Sequence, residues 1–203
     1  VILLMHMESG SPWADNSPLH ATLTASGTIT ASTSSPLVGT ASMVPGALGK
    51  VNTPNNATYN IGSGDLTVEW TMRLTGTPST ERVFEIGGAG IQCWFNGSTT
   101  APTILAFGGS VFTASALSTS TTYKMSLVKS GTTYTLYADG TSIGSGTRAG
   151  SDDGTTNRTI AVGNQDSAGQ PAVNCKIDEF RVTKGVARYS GSQPPPATPY
   201  PDG

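Results

Sequence analysis

Alternation with a period of two organises the middle of the chain. Along residues 66–74, Leu66, Val68, Trp70, Met72 and Leu74 share one face and Thr67, Glu69, Thr71 and Arg73 the other, as a strand with one side in a core requires. Shorter runs of the same kind are expected at 82–86, 91–95 and 103–107, each ended by Gly or Asn. Residues 123–129 run into Ser130-Gly131 and residues 134–138 into Asp139-Gly140, so two turn dipeptides follow strand patterns directly and predict a meander that 142–146 continues. Strands at 158–163 and 173–183 complete the set. The opening residues 1–7 are apolar without alternation, which predicts a strand covered on both faces. A loop over 8–18 separates it from a weaker strand within 19–33; after a turn at 34–39, two short strands are expected at 47–51 and 57–61. Residues 186–189 suggest one helical turn, and the prolines of 192–203 an extended segment over the surface. About a dozen short strands with regular turn signals predict an all-β fold: two antiparallel sheets packed face to face, as one domain over residues 1–191.

Composition narrows the partners. The chain has 203 residues, of which 12% are charged, and a net charge of −2, so its Lys and Arg cannot line a nucleic-acid groove. The longest apolar run, residues 1–5, is far short of a bilayer span, and no Lys or Arg precedes it as in a signal peptide; no membrane insertion is expected. The start at Val1 fits a processed chain or a piece of a longer one. Cys93 and Cys175 lack any zinc spacing; they could pair as one disulfide in a secreted chain, but two buried free thiols are the favoured reading. Three glycosylation sequons, at Asn56, Asn96 and Asn157, carry no weight in a chain so rich in Ser and Thr.

Three segments, Leu3-Leu4-Met5-His6-Met7-Glu8, Gly64-Asp65-Leu66-Thr67-Val68-Glu69-Trp70 and Lys176-Ile177-Asp178-Glu179-Phe180-Arg181-Val182, occur in an order that resembles the laminin-G type of concanavalin A-like jelly roll, particularly as found in bacteriophage virion proteins. Leu136-Tyr137-Ala138-Asp139-Gly140 resembles a hairpin of that family, and residues 183–191 its closing stretch. The resemblance covers nearly the whole chain. It implies first and last strands paired at the centre of one sheet, and a bacteriophage virion surface protein, on a tail fibre, baseplate or capsid, that contacts other virion subunits and host-surface polysaccharide.

Candidate chemistry is sparse. A retaining glycosidase needs two carboxylates facing one cleft about 5 Å apart, and no strand here carries the alternating acids that would supply them. Asp178 and Glu179 are adjacent, which in a regular strand points them to opposite faces. With only His6 and His20 and no nucleophile turn, a Ser-His-Asp triad lacks support. No enzyme is expected. A structural Ca²⁺ would be held by Glu8 and Asp178 near the strand ends that the family pattern brings together; the turn at Ser151-Asp152-Asp153-Gly154 lacks the length and terminal Glu of an EF-hand. Sugar binding needs an aromatic platform flanked by amides. If Ile91, Cys93 and Phe95 face the core, then Gln92, Trp94 and Asn96 face outward and form the candidate carbohydrate site. The sequence therefore predicts a non-catalytic, lectin-like surface module for glycan adhesion, possible as a homo-oligomer. A structural decoration component is the alternative, and a hydrolase acting through Glu69, Glu85 or Glu179 the third reading.

Overall fold

A computed structural model describes residues 1–10, 13–87, 90–151, 157–164, 174–190 and 199–202. Among the described residues fifteen strands run in chain order: β1 (Leu3–Met5), β2 (Thr24–Ser26), β3 (Ile29–Ser32), β4 (Ser42–Pro45), β5 (Lys50–Asn52), β6 (Leu66–Leu74), β7 (Glu81–Ile86), β8 (Ile91–Phe95), β9 (Pro102–Ala106), β10 (Gly109–Thr113), β11 (Thr122–Ser130), β12 (Thr133–Ala138), β13 (Thr141–Thr147), β14 (Ile160–Val162) and β15 (Cys175–Lys184). The first sheet is ordered β13-β12-β11-β6-β15-β4-β3, with β1 also on β15, and the second β10-β9-β8-β7-β14-β5-β2. Every pairing is antiparallel. This is the two-sheet, all-β sandwich that the alternation predicts.

The predicted pairing of first and last strands holds, with Leu3 opposite Val182 and Met5 opposite Phe180. Leu3, Met5 and Met7 turn into the core and Leu4 is buried on the other face, so the opening strand is covered on both sides. Between the sheets, Trp70, Phe84 and Phe180 meet edge to face at centroid separations of 5.2 and 5.6 Å, the arrangement their ring quadrupoles favour. Cys93 and Cys175 are both free thiols in this core, and burial pushes Cys93 up to about 12, so neither behaves as a nucleophile.

Several local expectations fail for identifiable reasons. Residues 57–61 form a short 3-10 turn, Ala57–Tyr59, because the Asn56 side chain accepts the Thr58 N–H and caps it. The strand expected at 47–51 begins only at Lys50, since Gly46 and Gly49 make the crossing between sheets. At Gly27 an added Cβ would lie 2.2 Å from the Leu48 carbonyl oxygen, which fixes glycine where the outer chain crosses over that turn. β4 went unpredicted because its apolar residues, Met43 and Val44, are a two-residue run without alternation that Pro45 ends, and β10 because a register shift between Ser110 and Phe112 breaks its alternation. Residues 186–189 are not helical. The proline-rich segment lies largely outside the described residues; its described part, 199–202, packs back on the first sheet.

Candidate functional site

The outer face of the first sheet carries the densest polar network among the described residues, and an irregularity in β15 sets it up. Along β15 the core positions are Cys175, Ile177, Phe180 and Val182, a step of three in the middle that regular pleating does not allow. The extra residue is Glu179, in the left-handed region at φ 49°, and the register against β6 shifts between Asp178 and Arg181. The expectation that Asp178 and Glu179 point to opposite faces is thus wrong: Phe180 takes the inward place, and Glu179 turns to His6 on the outer side.

Beyond the bulge, Arg181 faces Glu69 across the strands. Its Nε and Nη2 donate to the two oxygens of Glu69, both at 2.8 Å, and Glu69 is wholly buried. A closing strap covers this pair: the Tyr189 hydroxyl donates to Glu69 Oε1, and the Arg181 guanidinium lies 3.6 Å from the centroid of the Tyr200 ring. Thr67 holds the strap's backbone, donating from Oγ1 to the Val186 carbonyl at 2.8 Å and accepting the Arg188 N–H at 3.0 Å. Burial pushes the Tyr189 hydroxyl up to about 12, helped by the Glu69 carboxylate it donates to.

Beside the strap the sheet is left open as a groove of about 440 Å³. Its floor is the β11–β12 hairpin, with Val128, Thr135 and Tyr137 projecting outward. Strap residues Tyr189 and Ser190 wall one side, and Ser130, Thr133 and Asp65 close the hairpin end. Asp65 is positioned by the Gly131 N–H, which donates to its Oδ1 at 2.8 Å. The sequence reading missed this groove. Outward Tyr137 and Val128 on a face otherwise of Ser and Thr were the available signal, but the wall opposite depends on the fold-back of residues 186–190.

A second hollow lies where the chain ends meet, lined by His6, Glu8, Asn16 and residues 199–202. His6 Nδ1 is 2.8 Å from Glu179 Oε1, and its Nε2 3.0 Å from Asp202 Oδ1. Burial pulls the imidazole's pKa down, but its bonds and attraction to Glu179, then Asp202, outweigh that and leave it raised above 6.5. Glu179 also accepts the Tyr200 N–H at 2.9 Å.

Glu8 and Asp178, the expected calcium ligands, both serve the loop that precedes β4. Glu8 Oε2 accepts the Thr40 N–H at 2.9 Å and the Thr40 hydroxyl. Asp178 Oδ2 accepts from the Ser42 hydroxyl at 2.8 Å and the Val38 N–H at 3.1 Å, and its Oδ1 from the Glu179 N–H. Asp178 has no exposed surface, and burial pushes its carboxyl up to about 7 against the pull of these donors. No group of three or more His, Cys, Asp or Glu side chains suited to a metal converges among the described residues.

The other candidate cluster is on the second sheet, where Ile91, Cys93 and Phe95 are in the core and the intervening residues face outward. Gln92 is 8% exposed and accepts a hydrogen bond from Arg82 Nε at 3.1 Å; the Arg82 guanidinium sits 5.0 Å from the Trp94 ring centroid. Trp94 is half-buried and Asn96 exposed. Of the carboxylates weighed for hydrolysis, Glu69 is the counter-ion of Arg181, Glu179 holds His6, and Glu85 is buried on the second sheet.

In fold, the chain is similar to the receptor-binding domain of a botulinum neurotoxin C/D mosaic serotype, with a TM-score of 0.66 at 16% identity over 91% of this chain and 48% of that one. It is likewise similar to the binding domain of Paraclostridial Mosquitocidal Protein 1, at 0.67 and 14% over 91% and 49%, and to the botulinum neurotoxin serotype C1 binding domain, at 0.67 and 12% over 91% and 49%. The chain thus spans about half the length of these structures. No curated protein sequence matches. A family model described as the concanavalin A-like lectin/glucanases superfamily matches residues 45–188, well over half of the chain, and the sandwich described above is the fold that goes with it. The chain belongs to the laminin-G type of the concanavalin A-like lectin/glucanase superfamily.

Proposed function

We propose that this chain is a non-catalytic adhesion module that binds a glycan in the groove on the outer face of its first sheet. The observation that carries the reading is the groove's lining: Tyr189, with the 7% of Tyr137 that stays exposed, offers aromatic surface for a pyranose ring, and Ser130, Thr133, Thr135 and the Asp65 carboxylate offer hydroxyl partners. Two fold neighbours point the same way: entry of botulinum neurotoxin type C depends on interaction with two ganglioside molecules, and a related binding domain was solved with synaptotagmin II, so modules of this shape serve surface recognition. A binding rather than hydrolytic role is supported by the engagement of Glu69, which is fixed by Arg181 and Tyr189 instead of facing the groove as a free acid. The resemblance of the motif set supports display on a bacteriophage particle, where immunogold labelling would locate the module at a fibre tip or on the shell.

The test is a glycan array read with the wild-type chain, Thr135→Trp, which fills the groove floor, and Trp94→Ala. Signal lost in Thr135→Trp and kept in Trp94→Ala is the expected result. The reverse pattern moves the site to Gln92, Trp94 and Asn96 on the second sheet. No signal from wild type against host polysaccharides overturns glycan binding in favour of a purely structural component. Reducing sugar released by wild type, and not by Glu69→Gln, Glu85→Gln or Glu179→Gln, overturns the non-catalytic reading.

A further inference from the structure

The two lateral sides of the sandwich end differently. On one side β10 and β13 meet: the Ser115 N–H donates to the Ile143 carbonyl at 2.8 Å, and Gly144 and Gly146 leave room for Phe112 and Val111. On the other side the edge of both sheets is one stretch of chain, β2 then β3, crossing over at Gly27. Among the described residues β3 is bonded to β4 alone, so half of its backbone groups face away from the sheet.

Which half follows from Thr28. Its N–H donates to the Ala47 carbonyl at 3.0 Å and its carbonyl accepts from the Gly46 N–H at 2.7 Å, so Thr28 points to the β4 side. In an antiparallel ladder successive residues bond in opposite directions. Thr30 and Ser32 therefore also bond towards β4, and the N–H and C=O of Ile29 and Ala31 point outward. Natural edges are blunted with charge, proline or a bulge. β3 has none of these, and no charged residue occurs anywhere between His20 and Lys50.

We propose that two copies of this chain join by antiparallel pairing of β3 with β3 about a two-fold axis through Thr30. The register is selective. A two-fold pairing that keeps inward residues opposite inward ones centres on Thr30 or on Ala31. Centred on Thr30, Ile29 of each copy stands opposite Ala31 of the other and exchanges both backbone bonds, giving four hydrogen bonds within the strand and setting a large inward side chain against a small one. Centred on Ala31, only that residue's own two bonds fall within β3. A second copy is the partner the edge fits, because its outward groups, small side chains and lack of charge are all self-complementary.

The axis stands perpendicular to the joined sheet, so both outer faces lie on the same side. Each groove, at β11–β12, lies about five strand spacings of ~4.8 Å from the axis, placing the pair roughly 50 Å apart along the sheet. If the groove takes a glycan, as read above, the dimer presents two such sites to one surface and multiplies weak single-site affinity. The pairing itself does not depend on that reading.

Sedimentation equilibrium of the wild-type chain and its Thr30 variants tests it. Wild type is expected to reach dimer mass with rising concentration. Thr30→Lys and Thr30→Glu, at an exposed position, should each stay monomeric with wild-type circular dichroism, since like charges would face each other in the close, non-hydrogen-bonded pair. Mixing the two variants should restore the dimer. Thr30→Cys should form a disulfide between copies on mild oxidation, while Ser26→Cys on β2 should not. A wild-type chain that stays monomeric at its solubility limit overturns the proposal, and so does a dimer mass that Thr30→Lys leaves intact. Either outcome leaves the glycan-array result standing, so the two readings fail separately.

Discussion

The Arg181 guanidinium serves two partners: it neutralises Glu69 from one side and lies against the Tyr200 ring. A buried carboxylate that loses its counter-ion is far costlier than the intact pair is stabilising. Arg181→Ala leaves Glu69 with the more distant Arg188 Nε at 3.8 Å as its cation, so it should destabilise the chain by about 3 kcal/mol in urea unfolding, whereas the double change Glu69→Leu with Arg181→Met, which removes both charges of the close pair, should come within about 1–2 kcal/mol of wild type. The single variant should also free the strap, seen as faster proteolysis after residue 185. A double variant as unstable as the single one would mean that packing of the long side chains, and not charge pairing, is what holds the strap.

Within β15 the same logic applies to the bulge. Glu179 occupies left-handed backbone at φ 49°, a conformation that costs a non-glycine residue about 1–2 kcal/mol and is tolerated because its carboxylate collects His6 and the Tyr200 N–H. Glu179→Ala and Glu179→Gly lose those bonds alike, so the glycine variant should be the more stable by about 1 kcal/mol in chemical denaturation. Equal stabilities would mean that the left-handed backbone at 179 carries no such cost. The elements also mark where sequence reading succeeds. Alternation located β6 and β8 to the residue because both strands have one face in the core and no irregularity. At β15 it found the strand but missed the bulge at Glu179, although the apolar step from Ile177 to Phe180 was there to be read. It also failed at 186–189, whose helix-compatible residues are held extended because one Thr67 hydroxyl satisfies both the Val186 carbonyl and the Arg188 N–H. The groove inherits both failures: its floor alternates legibly, but its wall depends on a contact 119 residues away in sequence.

At the scale of the whole molecule, the chain ends and the loop before β4 are fastened to β15 by groups that titrate in the same direction. The Asp178 carboxyl moves from an ordinary 3.8 to about 7 in the folded chain, and His6 is raised above 6.5. In each case the folded state holds the proton more tightly than the unfolded one, so the contribution is complete below the unfolded value and disappears as pH rises through the folded one. For Asp178 that window runs from 3.8 to about 7, and the gap sets a ceiling of about 4 kcal/mol. For His6 the loss begins near 6.5 and continues above it, as the contact with Glu179 and Asp202 weakens. The free-energy difference between wild type and Asp178→Asn, measured by urea unfolding across this range, should therefore be most favourable to wild type at low pH and shrink by pH 7. His6→Gln should show its convergence later, on the alkaline side of 6.5. Both substitutions leave the second sheet untouched, so differences that are flat with pH would mean that these two groups do not govern how the loop before β4 and the chain ends are held. A gap that widens towards alkaline pH would reverse the assignment for Asp178 and make it an ionised anchor of the loop before β4, held by the Ser42 hydroxyl and Val38 N–H strongly enough to overcome its burial.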